Sequence, residues 1–301
     1  MLRFGFVTCV ELGLSCMDAI YHAGGSLAAA FTLRDDLAAQ KSGRVYLDGF
    51  CAQHGIPLRK VRNVNDPDAL AMIRGADLDW LFIVGWSQIA RAEVLSATRR
   101  GALGMHPTLL PEGRGRAAVP WAILKGLERT GVTLFKLDEG VDTGPIAAQV
   151  VVPIEARETA TTLYAKVSAA HRSLIEQAWP SLVADVLRLA PQDESRATVW
   201  PGRTPEDGRV TADLSPAMAD RLVRAVTRPY PGAFVDAKAG RLRIWCAAPF
   251  EGERPDEVHV NADGTLVVPV RGGGLIAQPG EWELAGRYQW PEHTSEGNIA
   301  G

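Results

Sequence analysis

Asp68-Ala-Leu-Ala-Met-Ile-Arg74, then Trp80-Leu-Phe-Ile-Val84, then residues 89–99, then Ala102-Leu-Gly-Met105 follow one another in a single stretch of the chain. The first and third carry apolar residues at helical spacing, whereas the second is apolar at every position. A strand apolar at every position is buried on both faces, which is the condition of a parallel sheet covered by helices. The same order occurs earlier. An apolar run over 2–10 leads into a helix over 15–23, with Cys16, Ala19, Ile20 and Ala23 on one face, and then a β-like run over 26–33. The spacing therefore predicts an α/β domain with a mostly parallel sheet. Residues 133–137 and 146–154 read as two further strands. A long amphipathic helix follows over 161–189, with Pro180 expected to break or kink it.

Composition sets wide bounds. The chain has 301 residues, 47% hydrophobic and 22% charged, enough for two domains with separate cores. A net charge of −3 gives no global field to draw it to nucleic acid or to an anionic membrane. Residues 1–10 are too short an apolar run to span a bilayer and lack the parts of a signal peptide, so a cytoplasmic protein is expected. Cys9, Cys16, Cys51 and Cys246 form no Cys-x-x-Cys pair, which fits buried reduced thiols and no metal site.

Past residue 189 the pattern changes. Residues 190–205 are largely polar, hold three prolines, and read as an exposed linker between a first domain over 1–189 and a second over 206–290, with a tail over 291–301. The second domain reads as one helix over 215–226 and five short strands over 232–236, 241–247, 257–260, 265–270 and 275–279. That pattern suggests a small β-barrel.

The chemistry is concentrated in two runs. Gly104-Met-His-Pro-Thr-Leu-Leu-Pro-Glu-Gly-Arg-Gly-Arg116 leaves the predicted strand at 102–105, and Asp138-Glu-Gly-Val-Asp-Thr-Gly144 forms an acidic turn. The loop starts where open α/β sheets hold their ligands, beyond the carboxyl end of a strand. A histidine oriented by a carboxylate is a common proton-transfer group near neutral pH, so His106 and Asp142 are the candidate pair. Taken alone, His106 could be an ordinary loop histidine and Asp142 a turn former; their joint context favours the catalytic reading. Arg114 and Arg116 offer planar forks suited to carboxylate or phosphate. No Gly-x-Gly-x-x-Gly, Gly-x-Ser-x-Gly or His-Glu-x-x-His pattern is present, so a nicotinamide cofactor is not expected.

These two runs resemble the folate-dependent formyltransferase family in order, spacing and most letters. Arg114-Gly-Arg-Ala117, Arg203-Thr-Pro-Glu-Asp207 and residues 222–234 resemble the branch that acts on sugar nucleotides, so the likeness covers most of residues 1–285. It implies a Rossmann-like catalytic domain followed by an OB-like barrel, and 10-formyltetrahydrofolate as cosubstrate. It places His106 and Asp142 in catalysis. It places Gln88, Ile89, Ala90, Arg116, Asp138, Glu139, Gly140, Val141 and Asp142 against the folate. Trp86, beside them, reads equally well as core.

The chain departs from that pattern at Gly104, where the family carries an Asn whose amide meets the developing oxyanion. Losing one such donor typically costs about 100- to 1000-fold in rate. The expected replacement is Gln88 first, with loop backbone N–H groups or ordered water behind it. The expected acceptor is a small primary amine, foremost an amino sugar on a nucleotide carrier. Methionyl-tRNA is second, since residues 206–290 hold twelve acidic and ten basic residues, a net of −2, where a tRNA-binding domain needs a basic face. A reading of another class is a formyl-folate binding protein without catalysis, because of Gly104. A homodimer is among the assemblies open to the chain.

Overall fold

A computed structural model of the chain describes residues 1–40, 44–238 and 240–285. The first domain begins with β1 (Phe4–Val7), α1 (Glu11–His22), β2 (Ala29–Leu33), α2 (Asp48–His54), β3 (Leu58–Val61) and α3 (Pro67–Gly75). It continues through β4 (Trp80–Ile83), α4 (Ala92–Leu95), β5 (Gly101–His106), β6 (Arg114–Gly115), α5 (Ala118–Leu124), β7 (Arg129–Lys136), β8 (Ile146–Pro153) and α6 (Ala160–Val183). The sheet order is β3-β2-β1-β4-β5-β7-β8. All neighbours from β3 to β5 are parallel, and β7 and β8 are antiparallel additions.

The unbroken apolar runs follow from this layering. Along β1, Phe4 and Phe6 enter one core while Val7 enters the other; along β4, Trp80 and Phe82 face one side while Leu81 faces the opposite one. The larger core is covered by α1 and α6 through Met17, Ile20, Leu163, Val167 and Leu174. Ile73 of α3 and Val94 of α4 cover the other. Phe6 and Phe82 stack with ring centroids 5.6 Å apart, and Phe4 meets Trp179 at 4.6 Å.

Several expectations are corrected. The helix expected over 89–99 shrinks to α4, because the Asn65 side chain donates to the Ile89 carbonyl and accepts from the Arg91 N–H, both at 2.8 Å. This holds 89–91 out of helix. Pro180 does not stop α6, which runs to Val183 and ends before Asp185, a residue in left-handed backbone with φ 61°. The polar segment after residue 189, most of it exposed, also pairs with the first domain. Ala190 bridges Ile146, and β9 (Val199–Trp200) pairs in parallel with β6, burying Trp200. Cys246 is exposed, at the corner between two strands, while the other three cysteines are buried.

The second domain opens on α7 (Pro216–Val226), capped by Ser215, whose hydroxyl accepts the Met218 N–H at 3.3 Å. Seven strands follow: β10 (Ala233–Ala237), β11 (Gly240–Ile244), β12 (Ala248–Glu251), β13 (His259–Val260), β14 (Leu266–Val270), β15 (Gly273–Ala277) and β16 (Trp282–Leu284). They form two antiparallel sheets, β10-β11-β16 and β12-β15-β14-β13, making a small OB-like β domain. The tail expected over 291–301 lies outside the described residues. Among the described residues, no helix is long and apolar enough to cross a membrane.

One buried group in this core gives a pH signature. His171, on α6, is buried and its Nδ1 meets the Val167 carbonyl at 2.8 Å. Burial pushes its pKa down from 6.5 to about 4. An unfolded chain therefore takes up a proton below about pH 6.5 that the folded chain refuses until about pH 4. Stability from this group is complete above pH 6.5 and is lost as pH falls towards 4, by about 1.4 kcal/mol per pH unit. Urea midpoints measured from pH 7 to 4.5 should fall more steeply for the wild type than for His171→Leu. Parallel slopes would refute the assignment.

Candidate active site

The chain leaves β4 through Val84 and Gly85. Gly85 has φ 65°, and a Cβ there would stand 2.4 Å from Val10 Cγ2, so glycine alone makes this turn. The turn directs residues 86–90 along a cleft. Gln88 is tied down from the neighbouring loop: its carbonyl oxygen accepts the Val64 N–H at 2.9 Å and its NH2 donates to the Arg62 carbonyl at 3.0 Å. Both ends of the amide are thus engaged. The amide thereby braces the loop, with one of its two N–H donors committed to the Arg62 carbonyl. Trp86 lines the cleft and also packs against the smaller core.

β5 ends on His106. The imidazole is buried, with Nε2 2.8 Å from the Gly113 carbonyl and Nδ1 3.4 Å from Asp142 Oδ2. The same carboxylate oxygen accepts the Gly115 N–H at 2.9 Å. A doubly protonated ring would find an acceptor at each nitrogen. Asp142 arrives by a turn that runs back along β5. The Leu137 N–H donates to the Ala102 carbonyl, and the chain then climbs to the level of His106. Asp138 builds this turn through its Oδ1, which accepts from the Gly140 N–H at 3.1 Å and the Thr143 hydroxyl at 2.6 Å. A Cβ at Gly144 would lie 1.7 Å from the Lys136 carbonyl oxygen, so the last letter of the acidic run is dictated by close approach.

Between these loops is a cleft of about 270 Å³ lined by Gln88, Ile89, Ala90, His106 and the turn Asp138, Glu139, Gly140, Val141 and Asp142. Every residue expected against the folate borders it except Arg116, which lies beside Gly202 with its N–H donated to the Trp200 carbonyl at 3.0 Å. Ile89 and Val141 remain about half exposed, an arrangement that suits the faces of a flat ring. An open hollow beside α6 is larger, about 490 Å³, but is lined by groups such as Ala147, Gln177 and Ser181 and holds no acid–base pair. The His106–Asp142 contact borders the smaller cleft.

Arg114 is not a ligand fork. It is buried and bound to Glu194 at 2.6 and 2.9 Å and to Gln192 at 2.8 and 3.1 Å. The Glu194 carboxylate holds its pKa above the ordinary guanidinium range. Gly104 is explained by its neighbour. A Cβ there would meet Leu137 Cδ2 at 2.6 Å, so leucine fills the space that a side chain at 104 would need. Leu137, Gln192 and Trp200 carry no functional signal in the sequence beyond the nearness of the first to the acidic turn.

The fold sets a His106–Asp142 contact at the carboxyl end of a mostly parallel sheet. Residues 25–178 match the formyl transferase family and residues 203–291 its C-terminal domain. The chain belongs to the formyl transferase family. Its fold is similar to the sugar 3N-formyl transferase WlaRD, solved with dTDP and 5-N-formyl-THF (16% identity, 92% of this chain and 97% of that one, TM-score 0.67). It is similar to the N-formyltransferase of Helicobacter canadensis in complex with folinic acid and dTDP-3-aminofucose (14%, 92% and 99%, TM-score 0.67). It also resembles HypX from Aquifex aeolicus in complex with tetrahydrofolic acid (19%, 91% and 43%, TM-score 0.64).

Proposed function

We propose that this formyltransferase takes its formyl group from 10-formyltetrahydrofolate and delivers it to a primary amine of a nucleotide-linked amino sugar. The observation that carries the reading is the His106–Asp142 contact at the edge of a cleft flanked by the half-exposed Ile89 and Val141. The amine attacks the formyl carbon and the C=O electrons move to oxygen. The C–N10 bond then breaks as the carbonyl re-forms. His106, once Nε2 leaves the Gly113 carbonyl, takes the proton lost by the amine and returns one to N10, so the products are the N-formyl sugar and tetrahydrofolate. Asp142 holds the ring and balances its charge. Asp138, Glu139, Gly140 and Val141 supply turn backbone to a pterin edge, and Gln88, Ile89 and Ala90 form the facing wall.

The solved sugar N-formyltransferases support this acceptor class, and the net −2 of residues 206–290 weighs against tRNA. The test mixes the protein with 10-formyltetrahydrofolate and either a dTDP-linked amino sugar or methionyl-tRNA, following release of tetrahydrofolate. Repeated turnover with the amino sugar is expected. Turnover with methionyl-tRNA alone would replace the acceptor, and stoichiometric folate binding without release in either case would favour the non-catalytic reading that Gly104 invites.

A further inference from the structure

Gln192 lies in the segment between the two domains and does not border the cleft, yet its amide is engaged at both ends. Its NH2 donates to the Asp142 carbonyl at 2.8 Å and to the Gly144 carbonyl at 2.7 Å. Its own carbonyl oxygen accepts from Arg114 Nε at 3.1 Å and Nη2 at 2.8 Å. Because a guanidinium only donates, it fixes which end of the amide faces the turn. Glu194 in turn fixes the guanidinium with two contacts.

The held residue is Asp142, whose φ of 56° is a left-handed conformation that residues with a Cβ rarely adopt. Three consecutive residues carry the whole assembly. The Gly113 carbonyl meets His106, Arg114 holds Gln192, and the Gly115 N–H meets the Asp142 carboxylate. The imidazole, the carboxylate and the backbone under that carboxylate thus hang from one strand, with Gln192 closing the loop from outside.

We propose that Gln192 is a positioning residue, holding the backbone of Asp142 so that its carboxylate stays against His106. This rests on the reading of His106 and Asp142 as the proton-handling pair. Gln192→Leu removes both sets of hydrogen bonds. Gln192→Glu keeps the acceptor for Arg114 and the size, but sets an oxygen against two carbonyls. Misplacement of this order should slow turnover by about 10- to 100-fold, with KM for 10-formyltetrahydrofolate nearly unchanged.

The test is a double-mutant cycle of Gln192→Leu and Asp142→Asn, read as kcat, with amide exchange at Gly115 in the unliganded protein as a readout independent of any acceptor. The expected result is faster Gly115 exchange in Gln192→Leu and little further loss when it is added to Asp142→Asn. If Asp142→Asn slows turnover while Gln192→Leu matches wild type in both readouts, the positioning role is overturned and the pair stands. If both slow it and the losses multiply, Gln192 acts elsewhere and the proposal also falls. If Asp142→Asn leaves turnover intact, the pair itself is wrong. Should Gln192→Leu fail to fold, Gln192→Glu takes its place in the cycle.

Discussion

His106→Gln should lower turnover by about 10²- to 10⁴-fold and leave the affinity for 10-formyltetrahydrofolate within a few-fold of wild type. Glutamine can still donate to the Gly113 carbonyl, as Nε2 of the imidazole is placed to do at 2.8 Å, so the β5 end keeps its hydrogen bond. What it cannot do is accept a proton near neutral pH and release it again. In the proposed step the attacking nitrogen must lose a proton and N10 must gain one. Without a group to carry it, both depend on water in a cleft whose wall holds Leu137, Phe135 and Met105. The measurement is single-turnover release of tetrahydrofolate, with binding read separately from folate fluorescence. Turnover within tenfold of wild type would remove His106 from the chemistry.

Parts of this arrangement are legible in the sequence, for a physical reason in each case. A strand such as Trp80-Leu-Phe-Ile83, free of polar positions, has no solvent face, so the two-sided burial of β4 follows from its letters. Gly144 and Asp142 mark a turn because close approach and left-handed backbone leave few residue types able to stand there. The helix expected over 89–99 failed because its periodicity was outweighed by one distant side chain, Asn65, bonding to the backbone of Ile89 and Arg91. The edge strand β3, Leu58-Arg-Lys-Val61, is too short and too charged to announce itself. The bracing of Gln88 is hidden for a related cause: an amide beside a cleft can turn either way, and here it bonds to the backbone of residues 62 and 64. Gln192 gives no signal, since a polar residue in a polar connecting segment carries no hint of a partner at Asp142.

Asp142→Asn should also cost about 10²- to 10⁴-fold in turnover, and it separates charge from shape more cleanly than removal to Ala. Asparagine tolerates the φ of 56° at this position as well as aspartate does, so the turn keeps its backbone. Its oxygen can still accept the Gly115 N–H, now made at 2.9 Å by the carboxylate. The loss is then confined to the negative charge 3.4 Å from Nδ1 of His106, which orients the ring and offsets the imidazolium formed when the amine gives up its proton. With its oxygen held by the Gly115 N–H, the amide still faces the ring, but as a neutral acceptor it offsets far less of the imidazolium charge. The variant should therefore fold with an unchanged melting point to within a few degrees and bind folate normally while transferring formyl slowly. If it transfers at the wild-type rate, the carboxylate serves only the turn, and His106 works without it.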